Sequence, residues 1–148
     1  MNTLTLHLLP MLRGTIDLPR SKSISNRALL MSAVAAGVGK GWDIRGTAVC
    51  DDTEAMQAAL AAREIGGQRT VDVGAAGTAM RFATAFYATQ PGRTLLTGSE
   101  RMKQRPIGPL TDALETLGES VTFLARKGCP PLLVEGGVPQ GGELTLPA

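Results

Sequence analysis

The segment LPRSKSISNRALL combines hydroxyl and cationic side chains at the start of an apolar, alanine-rich stretch. Ser23 or Ser25 is predicted to cap a helix that runs to about Ala36. The start of a helix offers free N–H groups and the positive end of its dipole, and Lys22 and Arg27 add two cations. Phosphate binding is therefore one interpretation. A serine-capped helix with solvated basic side chains is the other.

A second helix start of this kind lies in the segment GAAGTAMRF. Gly77 allows a ligand to approach the backbone closely, and Thr78 is predicted to begin a helix to about Ala88. Arg81 lies three residues further on, on the same helix face as Thr78. The alternative is a small-residue turn that lets the helix pack tightly on a strand. The segment has no G-K-[ST] sequence, so a nucleotide-binding P-loop is not indicated.

A third cluster lies in GSERMKQRPIG, which carries Arg101, Lys103 and Arg105. Pro106 is predicted to begin a fourth helix that runs through Leu117. In an extended loop the three alternate basic side chains would point to the same side. The alternative is a solvated charged loop. If the three helix starts meet, they form one cationic pocket, which suits a small molecule with two anionic groups.

The bulk composition limits the classes of function. The 148 residues suit one domain, and a net charge of only +2 argues against nucleic-acid or membrane-surface binding. With one histidine, His7, and two isolated cysteines, Cys50 and Cys129, the chain has almost no material for a zinc site. It also lacks the pattern of a secretory signal and of a membrane span, so we expect a cytoplasmic protein with reduced thiols.

Alternating helix and strand patterns predict an α/β fold. A second helix is expected from Asp51, where Asp51 and Glu54 form a pattern close to a capping box, to the pair Gly66–Gly67. The final strand pattern ends without a polar tail, from which we expect that the chain is cut from a longer protein. Strands are predicted at residues 4–9, 15–18, 42–45, 70–73, 94–96, 121–125, 132–134 and 143–146.

The segments LPRSKSISNRALL, GAAGTAMRF and LTGSERMKQRPIGPLTDAL occur in this order and at suitable spacing. Together they closely resemble the N-terminal part of the 3-phosphoshikimate 1-carboxyvinyltransferase (EPSP synthase) family. The resemblance implies transfer of the enolpyruvyl group of phosphoenolpyruvate to the 5-hydroxyl of shikimate 3-phosphate, with release of phosphate. It implies no metal and no organic cofactor.

The resemblance also implies roles for residues of the three motifs. Lys22 would contact both substrates, while Ser23 and Arg27 would bind shikimate 3-phosphate. Gly77 would let phosphoenolpyruvate lie against the backbone, and Arg105 would pair with its phosphate or carboxylate. No residue is assigned a catalytic role in proton transfer. Supporting positions are Thr78, Arg81 and Arg101.

The fold implied by the resemblance is part of one lobe of a two-lobed, inside-out α/β barrel. Such a lobe consists of repeated helix–strand units, with parallel helices packed inside and sheets facing outward. Residues 1–20 are expected to form strands and a hinge of the other lobe, and residues 21–148 an incomplete N-terminal substrate-binding lobe. We expect the C-terminal lobe to be missing from this chain, the chain alone to be inactive and the full-length protein to be a monomer.

Two alternatives to this function stay open. One is UDP-N-acetylglucosamine enolpyruvyl transferase, whose loop cysteine neither Cys50 nor Cys129 matches in context. The other is a non-catalytic, anion-binding half-domain.

Three positions depart from the family pattern. Arg20 stands where glycine is usual, Ala75 where asparagine is usual, and Phe82 where proline is usual. We expect substrate binding to survive these changes. The family's pocket accepts glyphosate, and reduced sensitivity to it is expected in the full-length enzyme.

Overall fold

A computed structural model describes residues 3–5 and 13–145. Its helices begin close to the positions that local sequence signals indicate. Ser21, not Ser23 or Ser25, caps the first helix, because its Oγ accepts a hydrogen bond from the Ile24 N–H at 3.4 Å. Within the described residues the helices are α1 (Lys22–Gly37), α2 (Asp51–Leu60), α3 (Gly77–Ala88), a 3₁₀ turn (Met102–Gln104) and α4 (Gly108–Thr116).

One predicted capping motif and one predicted helix start are wrong, although α2 begins at Asp51 as predicted. Cys50 precedes α2 and provides no side-chain cap, so Asp51 and Glu54 both lie in the first turn and do not form a capping box. The fourth helix begins at Gly108 and not at Pro106, because the chain turns through the 3₁₀ segment first and Arg105 is then extended. Acidic side chains in the first turn of α2 still suit the helix dipole.

The strands form a five-stranded mixed sheet in the described part of the chain, in the order β1-β2-β3-β5-β4. β2 and β3 are parallel and α3 connects them, while the other neighbours are antiparallel. From β2 onward the chain is one βαβαββ unit. The strands are β1 (Glu64–Ile65), β2 (Gln68–Asp72), β3 (Gly92–Thr97), β4 (Ser120–Phe123) and β5 (Leu132–Gly136).

The sequence predicted that Gly66 and Gly67 end the second helix, but they do not. They form the two-residue turn of the β1–β2 hairpin, with φ values of 62° and 84°. A turn with two positive φ values matches the twist of an antiparallel pair, and glycine adopts it without steric cost. The helix therefore ends earlier, at Leu60.

Several predicted strands are absent from the described residues. Residues 15–18, 42–45 and 143–145 have no strand partner. Residues 6–9 of the strand predicted at 4–9, and residue 146 of the strand predicted at 143–146, lie outside the described part. Ile16 and Leu18 are 81% and 83% exposed, although their pattern is that of a strand. A strand needs a neighbour to accept its backbone hydrogen bonds, and a local pattern does not supply one.

One face of the sheet is buried in register. Val71, Leu96 and Leu132 lie side by side on β2, β3 and β5 and are at most 2% exposed. Helix α3 contacts both β3 and β5, and Ala79 and Ala83 on it are fully buried. Helices therefore cover the buried face, which agrees with the predicted α/β class.

The hydroxyl of Tyr87, the chain's one tyrosine, donates to the Ala59 carbonyl at 2.7 Å and joins α3 to α2. We expect Tyr87→Phe to lower the free energy of unfolding at pH 7 by about 1 kcal/mol. Burial raises the pKa of Tyr87, and the Arg69 guanidinium partly opposes this shift. The contribution of Tyr87 is therefore complete below about pH 10 and is lost as the pH rises through its folded pKa.

Urea unfolding at pH 7 and at several values above pH 10 measures both effects. The wild type should lose more stability in the alkaline range than Tyr87→Phe does. Parallel losses in the two proteins would contradict the role of this hydroxyl.

Candidate anion-binding site

The start of α1 orients its basic side chains toward the first turn. Lys22 is the first residue of the helix, and the Arg27 guanidinium donates to the Ser23 carbonyl at 3.1 Å and to the Ser23 hydroxyl. Arg27 therefore reaches back one turn, as its position in the sequence suggested. Ser25 has a different task, because its buried hydroxyl donates to the Ser21 carbonyl and accepts from the Ala48 N–H.

Lys22 forms an ion pair that the sequence did not suggest. Its Nζ lies 2.5 Å from Oδ2 of Asp52 in the first turn of α2, with the two side chains 65% and 28% exposed. The hydrogen bond to Asp52, together with the charge of that carboxylate, raises the pKa of Lys22. Lys22 is consequently a cation throughout the neutral range, and a carboxylate of this chain already contacts it.

The start of α3 lies after a tight turn. The Asp72 carboxylate accepts from the Gly74 N–H at 2.8 Å, and the Gly74 carbonyl accepts from the Ser99 N–H at 2.9 Å. Ala76, the residue before α3, provides no side-chain cap. The first N–H groups of this helix thus have no side-chain acceptor from the cap, which is the condition for anion binding at a helix start.

Arg105 lies against this helix start. A Cβ atom at Gly77 would overlap the Arg105 guanidinium, so the absence of a side chain at Gly77 is what admits the cation. Arg101 lines the same cleft of about 340 Å³, together with Ala75 and Met102. The structure therefore brings Gly77, Arg101 and Arg105 together from two sequence motifs.

The loop before α4 is not extended, contrary to the expectation that its three cations share one side. The 3₁₀ turn directs Lys103 to Glu100, with Nζ and Oε1 2.7 Å apart. Successive residues of a 3₁₀ turn differ by about 120°, so alternate residues do not align. Arg101 and Arg105 line the cleft and Lys103 does not.

Arg81 is engaged with the backbone. Its guanidinium donates to the Gly77 carbonyl at 3.1 Å and to the Pro106 carbonyl at 2.9 Å. It thereby fastens the residue after Arg105 to the start of α3. Thr78 is exposed in the first turn of the same helix.

The single cationic pocket expected from the sequence is instead a row of three neighbouring clefts. Arg20 and Lys22 line the first, of about 480 Å³, and Arg101 and Arg105 line the third. The middle cleft, of about 470 Å³, adjoins the third at Ala75 and has acidic walls. Its carboxylates belong to Asp51, Asp52 and Asp72.

Sequence reasoning missed the acidic part of this arrangement. The sequence pattern assigns Asp51 only to a helix start and gives Asp52 no role, and the adjacent pair in CDDT is the available signal. Asn26 was also missed. It is 1% exposed, its Nδ2 donates to the Asp52 carbonyl at 3.5 Å, and its Oδ1 has no partner among the described groups.

The three departures from the family pattern have distinct surroundings. The Arg20 guanidinium lies against Gly46, which has a φ of 75°. Ala75 is exposed between the second and third clefts. Phe82 is half-buried in an unbroken α3 and packs against the core.

The described residues contain neither a metal-binding cluster nor a membrane-spanning helix. No group of three or more His, Cys, Asp or Glu side chains is arranged there to hold a metal ion. None of the helices described is long and apolar enough to cross a membrane.

The fold and the site define an α/β protein built on a βαβαββ unit, with cations gathered at helix starts. Comparison with known proteins identifies the family within this class. The model of the EPSP synthase family, 3-phosphoshikimate 1-carboxyvinyltransferase, matches residues 9–69 and 63–147. The chain belongs to this family.

Relatives and solved structures agree with this assignment. The 3-phosphoshikimate 1-carboxyvinyltransferase of Bacteroides fragilis strain YCH46 is 46% identical over 136 residues, which cover 91% of this chain and 31% of that protein. The enzyme of Pectobacterium atrosepticum is 37% identical, over 97% of this chain and 38% of that protein. The chain thus spans about a third of the length of the curated relatives it matches.

A solved EPSP synthase from Acinetobacter baumannii superposes with a TM-score of 0.67 at 19% identity. The match covers 84% of this chain and 32% of that one. This likeness establishes a shared fold, including the part of the two-lobed, inside-out barrel expected from the sequence.

Proposed function

We propose that this chain supplies substrate-binding residues of a 3-phosphoshikimate 1-carboxyvinyltransferase. The observation that carries the proposal is the contact of the Arg105 guanidinium with Gly77 at the open start of α3, beside Arg101. Two cations and free helix N–H groups at one place form a site for a phosphate or carboxylate. Membership of the family supplies the identity of the ligand.

Phosphoenolpyruvate is the ligand proposed for this place. Gly77 lets its anionic groups approach the backbone, and Arg105 pairs with its phosphate or carboxylate. Arg101 adds charge in the same cleft, and Thr78 adds a hydroxyl. Arg81 acts through the backbone bonds described above and positions Arg105.

Shikimate 3-phosphate is the ligand proposed for the start of α1. Ser23 and Arg27 lie within hydrogen-bonding distance of each other on one helix turn and both are exposed. A hydroxyl and a planar guanidinium are suitable donors for a phosphate. Lys22, beside them, is proposed to contact both substrates.

The proposed reaction adds the 5-hydroxyl of shikimate 3-phosphate to the enol carbon of phosphoenolpyruvate and protonates its methylene carbon. Elimination of phosphate from this tetrahedral adduct gives the enolpyruvyl ether. The residues of this chain hold the two anionic substrates close together and neutralise the departing phosphate. None of them is proposed to transfer the protons.

The proposed partner of this half-site is the second lobe of the full-length enzyme. Residues 1–20 are proposed to belong to that lobe, and residues 21–148 to the N-terminal lobe. The exposure of Ile16 and Leu18 supports this division, because both are apolar side chains without a cover in the described structure. We place the enzyme in the cytoplasm, in aromatic amino acid biosynthesis.

Titration of the ¹⁵N-labelled chain with each substrate tests the proposal. Phosphoenolpyruvate should shift the amide signals of Gly77, Thr78 and Arg105, and shikimate 3-phosphate those of Lys22, Ser23 and Arg27. Phosphate release from the two substrates together should stay at the background rate, since none of the residues of this chain is proposed to transfer the protons. Shifts at α1 caused by UDP-N-acetylglucosamine, and not by shikimate 3-phosphate, would contradict the proposed substrate.

A further inference from the structure

Asp52 is held in a defined place beside Lys22. It lies in the first turn of α2, and its backbone carbonyl accepts from Nδ2 of the buried Asn26 on α1. The side chain is 28% exposed, less than half the value for Lys22. The carboxylate is therefore the more buried member of the ion pair, and the lysine is the more exposed one.

The same carboxylate borders the place where ligands are proposed to bind. Asp52 lines the middle cleft together with the Gly74–Ala76 turn that leads into α3. Lys22 lines the first cleft, on the other side of the ion pair. An anion that takes a hydrogen bond from Lys22 must consequently replace Asp52 or remain beside its negative charge.

We propose that Asp52 is a specificity-determining residue that competes with the anionic ligand for Lys22. This inference rests on the proposed function, because it concerns the same site. A monoanionic ligand that displaces Asp52 from Lys22 replaces one carboxylate with a group of equal charge, so it gains little binding free energy. A phosphate dianion carries more charge and more acceptor oxygens, so it displaces Asp52 with a net gain. The ion pair therefore selects for phosphorylated ligands.

A double-mutant cycle with inorganic phosphate as the probe tests this competition in the 148-residue chain. We expect Asp52→Asn to tighten phosphate binding about threefold, which is the range expected for release of an exposed ion pair. Lys22→Met should weaken binding. Asp52→Asn introduced into the Lys22→Met chain should then not increase phosphate affinity, because the ammonium group for which Asp52 and phosphate compete is absent.

Asp51→Asn is the matched control. Asp51 precedes Asp52 and lines the same cleft, but no bond joins it to Lys22. Its replacement should change phosphate affinity less than twofold, within what an exposed charge contributes. An equal gain in Asp51→Asn and Asp52→Asn would overturn the inference, since the field of the acidic cleft and not the ion pair would then be responsible.

The remaining outcomes are also decisive. Weaker phosphate binding by Asp52→Asn would overturn the inference, because Asp52 would then position Lys22 for the ligand. Phosphate binding by the wild type without a change in Asp52→Asn would contradict the inference alone. Failure of all variants to bind phosphate would contradict the proposed function and the inference with it. The ¹⁵N spectrum of each variant shows that it is folded.

Discussion

Gly77→Ala is expected to weaken the binding of phosphoenolpyruvate by about tenfold to a hundredfold, the loss typical of a charge-assisted hydrogen bond. The new Cβ would occupy the space of the Arg105 guanidinium. That guanidinium is the far end of a flexible, exposed side chain, so it moves away and the helix stays in place. The cation then no longer lies at the start of α3, and its ligand contact is lost.

Stability should respond differently from binding. Alanine favours a helix over glycine, so the unfolding free energy of Gly77→Ala should not fall by more than a few tenths of a kcal/mol. Calorimetric titration with phosphoenolpyruvate and urea unfolding measure the two quantities separately. Gly108→Ala is the control, because Gly108 is also the first residue of a helix and its added Cβ would meet no atom within 4 Å. Unchanged affinity in Gly77→Ala would contradict the placement of Arg105.

Gly136→Ala is expected to lower the free energy of unfolding by about 3 kcal/mol, as overpacking does in a rigid setting. Gly136 ends β5 where that strand meets the end of α3. A Cβ there would overlap the backbone carbonyls of Tyr87 and Gln90. Unlike the Arg105 side chain, these carbonyls belong to the main chain and cannot move without shifting the helix against the sheet.

The neighbouring glycine provides the matched control. Gly137 donates its N–H to the Ala88 carbonyl at 2.9 Å, but a Cβ at this position would meet no atom within 4 Å. Gly137→Ala should therefore keep the stability of the wild type within about 0.5 kcal/mol. Urea unfolding of both variants gives the comparison. Equal stabilities in the two variants would contradict the close approach of α3 and β5.

Helix positions and the central strands were predictable because their signals are local. The alanine-rich stretch after Ser21, the small residues before Thr78 and the apolar segments around Val71 and Leu96 each indicate their own conformation. The motif order was also sufficient to predict the family, which the family comparison confirmed. The fold class followed from the alternation of these elements.

Strand partners and side-chain contacts were not predictable in this way. The segment around Trp42 has the residue types of a strand but no strand partner, whereas the short β1 exists because the Gly66–Gly67 turn returns the chain beside it. Both outcomes depend on which segments lie next to each other. That information is distributed over the whole chain.

For the site, the sequence by itself determined the chemical character: cations and hydroxyls at helix starts, and hence an anionic ligand. Only the tertiary structure decided how these groups are combined. It placed Arg105 against Gly77 and paired Lys22 with a carboxylate thirty positions distant. The physical reason is that residue types fix charge and hydrogen-bonding capacity locally, while contacts between distant residues arise from the packing of α1, α2 and α3 against one another.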